Sequence, residues 1–172
     1  MKKQKFLSRE QIADRVVELG AAITADYQDD ELVLLGILNG AFIFTADLCR
    51  TIDLPLVLDF VRVASYGEET FSSGTISFTK DVELEIRDKD VLLVEDIIDT
   101  GRTIMYLKDL FQKRGCRSVK ICTLVNKTER RELQIKPDYV GFTVAEGFLL
   151  GYGLDSAQHY RQLPAIYKLI EE

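Results

Sequence analysis

The chain has 172 residues, enough for one domain with a sizeable core, and its composition of 47% hydrophobic and 29% charged residues is ordinary for a soluble globular protein. A net charge of −6 argues against a dedicated nucleic-acid binder, and no apolar run reaches membrane-spanning length or forms an N-terminal signal core. The single histidine, His159, excludes a zinc site built from several histidines. The odd number of cysteines predicts buried free thiols in a reducing cytoplasm: Cys49, Cys116 and Cys122.

The first predicted element is a helix. It follows residues 1–5, a short basic lead that is expected to be a solvated terminus. Ser8, with Gln11 three residues later, has the pattern of a capping box, in which each residue caps the backbone N–H of the other. Apolar residues then recur at helical spacing: Ile12, Val16, Leu19 and Ile23. This first helix is interpreted as scaffold.

The next stretch predicts a strand, a helix, a strand and a loop. Residues 31–38 form a near-continuous apolar run, typical of a central strand, which ends in the turn pair Asn39-Gly40 before a helix over residues 41–52. Residues 55–63 predict another strand, and residues 65–74, which lack periodicity, predict either a plain connection or a lid. Two short strands are expected to form a β-hairpin: residues 75–79 and 82–86.

The stretch from Val91 to Thr103 carries the most informative chemistry. Four apolar residues predict a strand buried on both faces, and two adjacent carboxylates, Glu95 and Asp96, follow it. A third carboxylate, Asp99, precedes Thr-Gly-Arg-Thr and a helical pattern that stops at Gly115. Two hydroxyls, a glycine that allows close backbone approach and the free N–H groups of a helix start together suit a phosphate.

Three carboxylates beside a phosphate repel it unless a hard cation or a sugar lies between them. Mg²⁺ takes oxygen ligands and bridges to phosphates, and adjacent carboxylates can accept hydrogen bonds from ribose hydroxyls. The local chemistry therefore predicts a sugar phosphate bound with Mg²⁺. Residue types alone support equally an ordinary βα loop whose solvated acids favour the helix dipole. The spacing favours the first interpretation, and it matches neither the P-loop nor the dinucleotide pattern.

The second half of the chain continues the alternation. Residues 118–125 predict a strand with Asn126-Lys127 just beyond its end, and residues 128–136 are charged and expected at the surface. After another predicted strand over residues 139–144, residues 146–155 are rich in glycine and apolar residues. That composition is typical either of backbone close to a flat ligand or of a tight loop over the core. A terminal strand is predicted near the C-terminus: residues 164–170.

Alternating strands and helices predict an α/β fold with right-handed crossovers and a mainly parallel sheet covered on both faces. No linker or repeat divides the chain, so a single domain over residues 1–172 is expected. We call the predicted loop from Glu95 to Asp99 the acidic loop. In such a sheet Asn39-Gly40, the acidic loop and Lys127 lie on the rim formed by the carboxyl ends of the strands, where open α/β sheets bind ligands.

The thirteen residues from Val91 to Thr103 resemble the phosphoribosyl-pyrophosphate (PRPP) motif of the type I phosphoribosyltransferases. Nearly the whole chain resembles the hypoxanthine-guanine phosphoribosyltransferases. Besides the motif, the resemblance rests on these segments: Leu38-Asn39-Gly40-Ala41, Ser65-Tyr66, Lys127, Phe148 through Asp155, and Arg161. It implies a mainly parallel central sheet flanked by helices, with a small hood made from the N- and C-terminal parts. It also implies a cytoplasmic homodimer or homotetramer that uses Mg²⁺ and binds neither nucleic acid nor membrane.

The resemblance assigns roles to residues of this sequence. It implies that Asp99 is the general base that handles the proton on purine N7. The motif holds the ribose and the 5′-phosphate through Glu95, Asp96, Asp99, Thr100, Gly101, Arg102 and Thr103. Pyrophosphate is bound by Asn39, Gly40 and Arg161. Since Asn39 stands where the family commonly has lysine, backbone N–H groups are expected to do the binding there.

By the same resemblance the purine is bound by Lys127 at O6, by stacking on Phe148, by the backbone of Leu149, and beside Asp155. Mg²⁺ is held by Glu95, Asp96 and Asp155, and Ser65 and Tyr66 begin a catalytic lid. The implied reaction transfers the phosphoribosyl group of PRPP to hypoxanthine or guanine, giving IMP or GMP and pyrophosphate, a step of purine salvage. Xanthine also carries a 6-oxo group, so the lysine does not rank the three bases.

Two alternatives remain to be weighed against this activity. A non-catalytic PRPP-sensing regulator on the same fold is expected to lack the carboxylate at Asp99 or to carry a basic face, whereas this chain keeps Asp99 and is acidic. A pyrimidine phosphoribosyltransferase is disfavoured by the pair Lys127 and Phe148. A lysine donor at O6 would be left unpaired by adenine, which presents an amine there.

Overall fold

The computed structural model describes residues 2–28, 31–64 and 77–170, and its elements follow most of the predicted alternation. The helices are α1 (Arg9–Tyr27), α2 (Phe42–Cys49) and α3 (Arg102–Lys113). The strands are β1 (Lys2–Leu7), β2 (Leu32–Ile37), β3 (Leu56–Ala64), β4 (Ser77–Lys80), β5 (Asp90–Ile98), β6 (Ser118–Lys127), β7 (Tyr139–Val144), β8 (Phe148–Leu150) and β9 (Ile166–Ile170).

The central sheet has the strand order β4-β3-β2-β5-β6-β7, and all of its neighbours are parallel except β4, which runs antiparallel to β3 at one edge. Every residue of β2 is buried, because successive side chains point to opposite faces and both faces are covered. Leu34 packs in a core with α1 and α2, whereas Leu35 packs in a second core with α3. The predicted α/β class and mainly parallel sheet are confirmed.

A second sheet forms from the two ends of the chain, with the antiparallel order β1-β9-β8. The hood implied by the family resemblance is therefore present. The expectation that residues 1–5 form a solvated lead is wrong, since Lys2 pairs with Ile170 and Lys5 with Tyr167. Their side chains are exposed, as their charge requires, and the backbone alone makes the pairing.

The predicted β-hairpin of residues 75–79 and 82–86 is also wrong. β4 pairs instead with β3, with Val63 opposite Phe78. The chain after β4 is held by side chains: the Arg114 guanidinium makes two 2.7 Å bonds to Asp81, and the Glu83 N–H donates to Asp59 at 2.7 Å. The Glu83 N–H, which a second strand would have used for pairing, is therefore bonded to a side chain.

The capping box at α1 is confirmed. Ser8 Oγ accepts from the Gln11 N–H at 3.1 Å, and Gln11 Oε1 accepts from the Ser8 N–H at 2.8 Å. Within the residues that the structure describes, no helix combines the length and apolar character needed to cross a membrane.

Candidate active site

The predicted site residues lie where β2, β5 and β6 end. β5 and β6 are parallel, with Glu95 beside Thr123 and Ile98 beside Asn126, so Asp99 and Lys127 come next on the same rim. Both strands run further than predicted, because this pairing continues past the apolar core. Glu95 and Asp96 therefore lie within β5, and Lys127 is the last residue of β6, so none of the three is a loop residue. Their backbones are fixed by the sheet.

Three segments meet at Gly40: the turn after β2, the carboxyl end of β5 and the glycine-rich loop of residues 146–155. A Cβ atom added to Gly40 would lie 1.9 Å from Asp96 Oδ2, and one added to Gly153 would lie 2.0 Å from the Gly40 carbonyl oxygen. A side chain at Gly40 would collide with the Asp96 carboxylate, and one at Gly153 would collide with the Gly40 backbone, so both positions require glycine. The Leu38–Asn39 peptide bond is cis. The turn after β2, the acidic loop and the glycine-rich loop thus form one contiguous surface, as their predicted roles require.

Arg161 and Asp155 join the same surface from the C-terminal part of the chain. Arg161 Nη2 lies 3.0 Å from Asp155 Oδ1, and Nη1 donates to the Gly153 carbonyl oxygen at 2.6 Å. The Arg161 charge also acts on Asp96, where it opposes the rise in the pKa that burial causes. The second carboxylate oxygen of Asp155 accepts from the Gln158 N–H at 2.7 Å, so both of its oxygens have partners.

Glu95 and Asp96 are adjacent acids at this rim, with Asp96 buried and Glu95 half-buried. Burial raises the pKa of Glu95 well above its usual value, and the neighbouring Asp96 carboxylate raises it further. Burial also raises the pKa of Asp96, although hydrogen bonds, including one from the Ile97 N–H at 2.8 Å, and the Arg161 charge act against this. Two such carboxylates need a positive charge to ionise together. That requirement fits Mg²⁺.

No cluster of three or more potential metal ligands exists within the part of the chain that the structure describes. Mg²⁺ bound with phosphates does not need such a cage, because one or two carboxylates, water and phosphate oxygens complete its shell. The donor set therefore suits a cation that binds together with a phosphorylated ligand.

Because the Glu95 carboxyl is shielded from water, replacing it with a neutral side chain should stabilise the folded protein. Because folding raises the pKa of Glu95, the carboxyl favours the fold at low pH and costs stability as the pH rises through the folded pKa. At about pH 8 without Mg²⁺, Glu95→Gln should raise the free energy of unfolding by about 1 kcal/mol, equivalent to about 3 °C. Thermal unfolding of the wild type and the variant at about pH 8 and about pH 4 measures this difference.

The gain should be much smaller at the acidic pH, where the native carboxyl is already protonated. Glu146→Gln makes the same change on an exposed side chain and is the control, with a shift near zero expected at both pH values. A Glu95→Gln variant that is no more stable at the higher pH would contradict the raised pKa.

Asp99 and the start of α3 border a cavity of about 160 Å³. Its lining includes Glu95, Asp99, Thr100, Gly101 and Thr103. Among the described residues Asp99 Oδ1 is buried and accepts no hydrogen bond, and Arg130 lies 3.6 Å from Oδ2. A carboxylate that lines a cavity and has an unpartnered oxygen can accept a hydrogen bond from a ligand.

The loop before α3 has the form expected of an anion site. Gly101 precedes the helix with φ at 88°, a backbone conformation that favours glycine, and it has no side chain to cap the helix. The first N–H groups of a helix lack partners in the helix and attract anions. Arg102, the first helical residue, forms an ion pair with Glu132. Its predicted role at the 5′-phosphate stays a prediction.

Among the predicted purine residues, Lys127 lies beside this loop, because Arg131 bonds to the carbonyl oxygens of both Asp99 and Lys127. Lys127 is only 8% exposed, and its ammonium lies 3.1 Å from Glu129. Phe148 is 50% exposed, so its ring has surface available for stacking against a ligand. Leu149 is buried in β8, an edge strand of the hood, so backbone groups on the open side of β8 can reach a ligand. Ser65 and Tyr66 fall outside the described residues.

A larger cavity, of about 500 Å³, lies elsewhere, between α1, α2 and residues 162–164. None of the residues predicted to bind substrate lines it. Its walls are largely apolar, from residues such as Val16 and Leu163, and it lacks the convergent acids found at the strand ends. The acidic loop is the better candidate for chemistry.

Sequence reasoning missed the part played by residues 128–136, which it placed on the surface. Thr128 to Arg130 are exposed, but Arg131 is half-buried against the acidic loop. The N–H groups of Glu132 and Leu133 both approach the Thr100 carbonyl oxygen, at 3.1 and 3.3 Å. A charged run without periodicity gave no signal that would have predicted these contacts.

A sequence profile described as the phosphoribosyl transferase domain matches residues 4–157. The chain belongs to the phosphoribosyl transferase family. It is 47% identical over 161 residues to a hypoxanthine-guanine phosphoribosyltransferase of Bacillus subtilis, across 94% of this chain and 89% of the relative. It is 43% identical over 162 residues to a hypoxanthine phosphoribosyltransferase of Salmonella typhimurium, across 93% of this chain and 91% of the relative.

A solved structure of a hypoxanthine-guanine phosphoribosyltransferase from Bacillus anthracis matches this phosphoribosyl transferase with a TM-score of 0.94. The two are 39% identical, and the match covers 99% of this chain and 100% of the other. The resemblance inferred from the acidic motif and the type I phosphoribosyltransferase fold are thereby confirmed.

Proposed function

We propose that the chain transfers the 5-phosphoribosyl group of PRPP to hypoxanthine or guanine, with release of pyrophosphate. The carrying observation is the buried Asp99 Oδ1 atom, which has no partner among the described residues and lies on the same rim as Lys127. Purine O6 and N7 share one edge of the base. An ammonium and a carboxylate side by side complement that edge, with O6 as the acceptor and N7–H as the donor.

The binding of PRPP is assigned to three parts of the rim. The start of α3, with Thr100 and Thr103, holds the 5′-phosphate through N–H groups and hydroxyls. The carboxylates of Glu95 and Asp96 hold the ribose hydroxyls. Backbone N–H groups at Gly40, which touches Asp96, face the pyrophosphate together with the Arg161 guanidinium. Each of these binding groups belongs to a segment whose backbone is fixed, either by pairing in the sheet or by close contact between loops.

The reaction follows from these positions. Loss of pyrophosphate from ribose C1 passes through an oxocarbenium-like transition state, as in glycoside transfer. The purine, stacked on Phe148 and held at O6 by Lys127, attacks C1 through N9. Asp99 accepts the N7 proton as the ring develops positive charge. Arg161 stabilises the negative charge that develops on pyrophosphate.

Mg²⁺ is proposed as the cofactor, with Glu95 and Asp96 as its nearest protein carboxylates and Asp155 as a further one. When bound, it supplies the positive charge that neutralises the pyrophosphate oxygens and lets the two adjacent acids ionise together. A readout independent of turnover is available. PRPP titrated into the protein by calorimetry should bind more tightly with Mg²⁺ than with EDTA, by about tenfold or more.

An ultraviolet assay tests the activity directly. The protein, PRPP and Mg²⁺ are combined in turn with hypoxanthine, guanine, xanthine, adenine and uracil. Hypoxanthine and guanine should be converted, and adenine and uracil should not, because neither offers O6 and N7–H together. A chain that binds PRPP but converts none of the 6-oxopurines would be the regulator instead, and the proposed transferase activity would be wrong.

A further inference from the structure

The guanidinium of Arg131 lies between the carboxyl ends of β5 and β6. Nε donates to the carbonyl oxygen of Asp99 at 2.9 Å, and Nη2 donates to that of Lys127 at 2.8 Å. Nη2 also lies 2.5 Å from Asn126 Oδ1 and 3.2 Å from the Ile98 carbonyl oxygen. One side chain thus binds the backbone of the two residues that face the purine.

This bridge lies where the sheet stops. The β5–β6 pairing ends with Ile98 beside Asn126, so the next carbonyl groups have no strand partner. The planar guanidinium, with five N–H donors in a fixed fork, can bond to acceptors on both strands at once. The two hydrogens of Nη2 are shared among three acceptors. A lysine, with a single nitrogen, cannot span the same set.

The segment that carries Arg131 is itself fastened to the phosphate loop. Glu132 and Leu133 donate toward the Thr100 carbonyl oxygen, and a Cβ atom added to Gly101 would lie 2.6 Å from Ile135 Cδ1. Arg131 Nη1 also reaches the Ile135 carbonyl oxygen at 3.4 Å. The guanidinium is therefore held in place by its own backbone and by its acceptors.

We infer that Arg131 is a positioning residue that sets the spacing between the Asp99 carboxylate and the Lys127 ammonium. The inference rests on the proposed function, in which these groups meet N7 and O6 on one edge of the base. That edge is rigid, so both hydrogen bonds form at full strength only when the two backbones keep a fixed separation. The bonds of the Arg131 guanidinium go to protein acceptors, so it would act through Asp99 and Lys127.

Two base analogues isolate the contact at N7. In 9-deazahypoxanthine N7 always carries a hydrogen and C9 cannot be ribosylated as N9 is, whereas 7-deazahypoxanthine has C–H in place of N7. Their inhibition constants against hypoxanthine, at fixed PRPP and Mg²⁺, are compared in the wild type, Arg131→Lys and Arg114→Lys. Arg114 is the matched control because its guanidinium makes two bonds to Asp81, away from the rim.

The wild type should prefer the 9-deaza analogue, and Arg131→Lys should lower this preference by about tenfold. Arg114→Lys should leave it within about twofold. Equal weakening of both analogues by Arg131→Lys would overturn the inference, since a general loss of structure does not distinguish them. So would a wild type that converts hypoxanthine yet shows no preference.

Failure of the proposed function is a separate result, because it would show as absence of hypoxanthine conversion by the wild type. Circular dichroism and thermal unfolding establish that each variant is folded. If Arg131→Lys does not fold, Arg131→Gln replaces it, because its planar amide keeps two donors, and the same loss of preference is expected.

Discussion

Asp99→Asn is expected to lower kcat by about a hundredfold or more, with little change in PRPP affinity. The amide keeps the shape of the carboxylate but cannot accept the N7 proton. A positioned general base typically contributes a factor of about 10²–10⁴, which sets the size of the expected loss. The binding of PRPP depends mainly on other groups of the rim, so the ground state should be nearly unaffected.

Single-turnover kinetics with hypoxanthine measure the chemical step, and calorimetry with Mg²⁺ measures PRPP binding. Asp109→Asn makes the same chemical change on the exposed side of α3 and should leave both quantities within about twofold. Unchanged turnover in Asp99→Asn would remove Asp99 as the base. A variant that loses PRPP affinity in proportion to kcat would assign the carboxylate to binding instead.

The parts of the fold that were predicted correctly have local causes. The β2 run is apolar at successive positions because both of its faces are covered, and that pattern is visible in sequence. The capping box at Ser8 and Gln11 spans three residues and needs nothing else. β1 was not predicted because it pairs with a strand near residue 170. The sequence of a short basic segment does not indicate a pairing partner so far along the chain.

The same distinction applies to the site. The order of Glu95, Asp96 and Asp99 is a local motif, so their identity could be predicted from the sequence. The contact of Gly40 with Asp96 joins segments far apart in sequence and appears only in the folded chain. Arg131 binds the Asp99 carbonyl oxygen across 32 residues. Every residue has a backbone carbonyl, so such a contact requires no particular residue type and cannot be recognised in the sequence.

Lys127→Met is expected to lower kcat/KM for hypoxanthine by about a hundredfold, the second large effect. The KM for PRPP should stay within about twofold of the wild-type value. The Lys127 side chain is only 8% exposed and is proposed to donate to purine O6. Methionine has a similar length, so it removes the donor with little change in packing. A hydrogen bond to a charged group contributes about 1.5–3 kcal/mol, which corresponds to factors of about 10–150. Glu129 loses its partner but remains exposed to water.

Lys120→Met is the control, since it makes the same change in the same strand at the end away from the rim, where the ammonium lies 4.9 Å from the centre of the Tyr27 ring.

Adenine offers an amine at the position of O6, so its weak binding includes the cost of leaving Lys127 unpaired. Lys127→Met removes that cost while hypoxanthine loses a bond, and the preference for hypoxanthine over adenine should therefore fall by at least the hundredfold expected for hypoxanthine alone, about two powers of ten. A preserved preference would mean that O6 is recognised by another group, and Lys127 would then be a buried lysine held by Glu129.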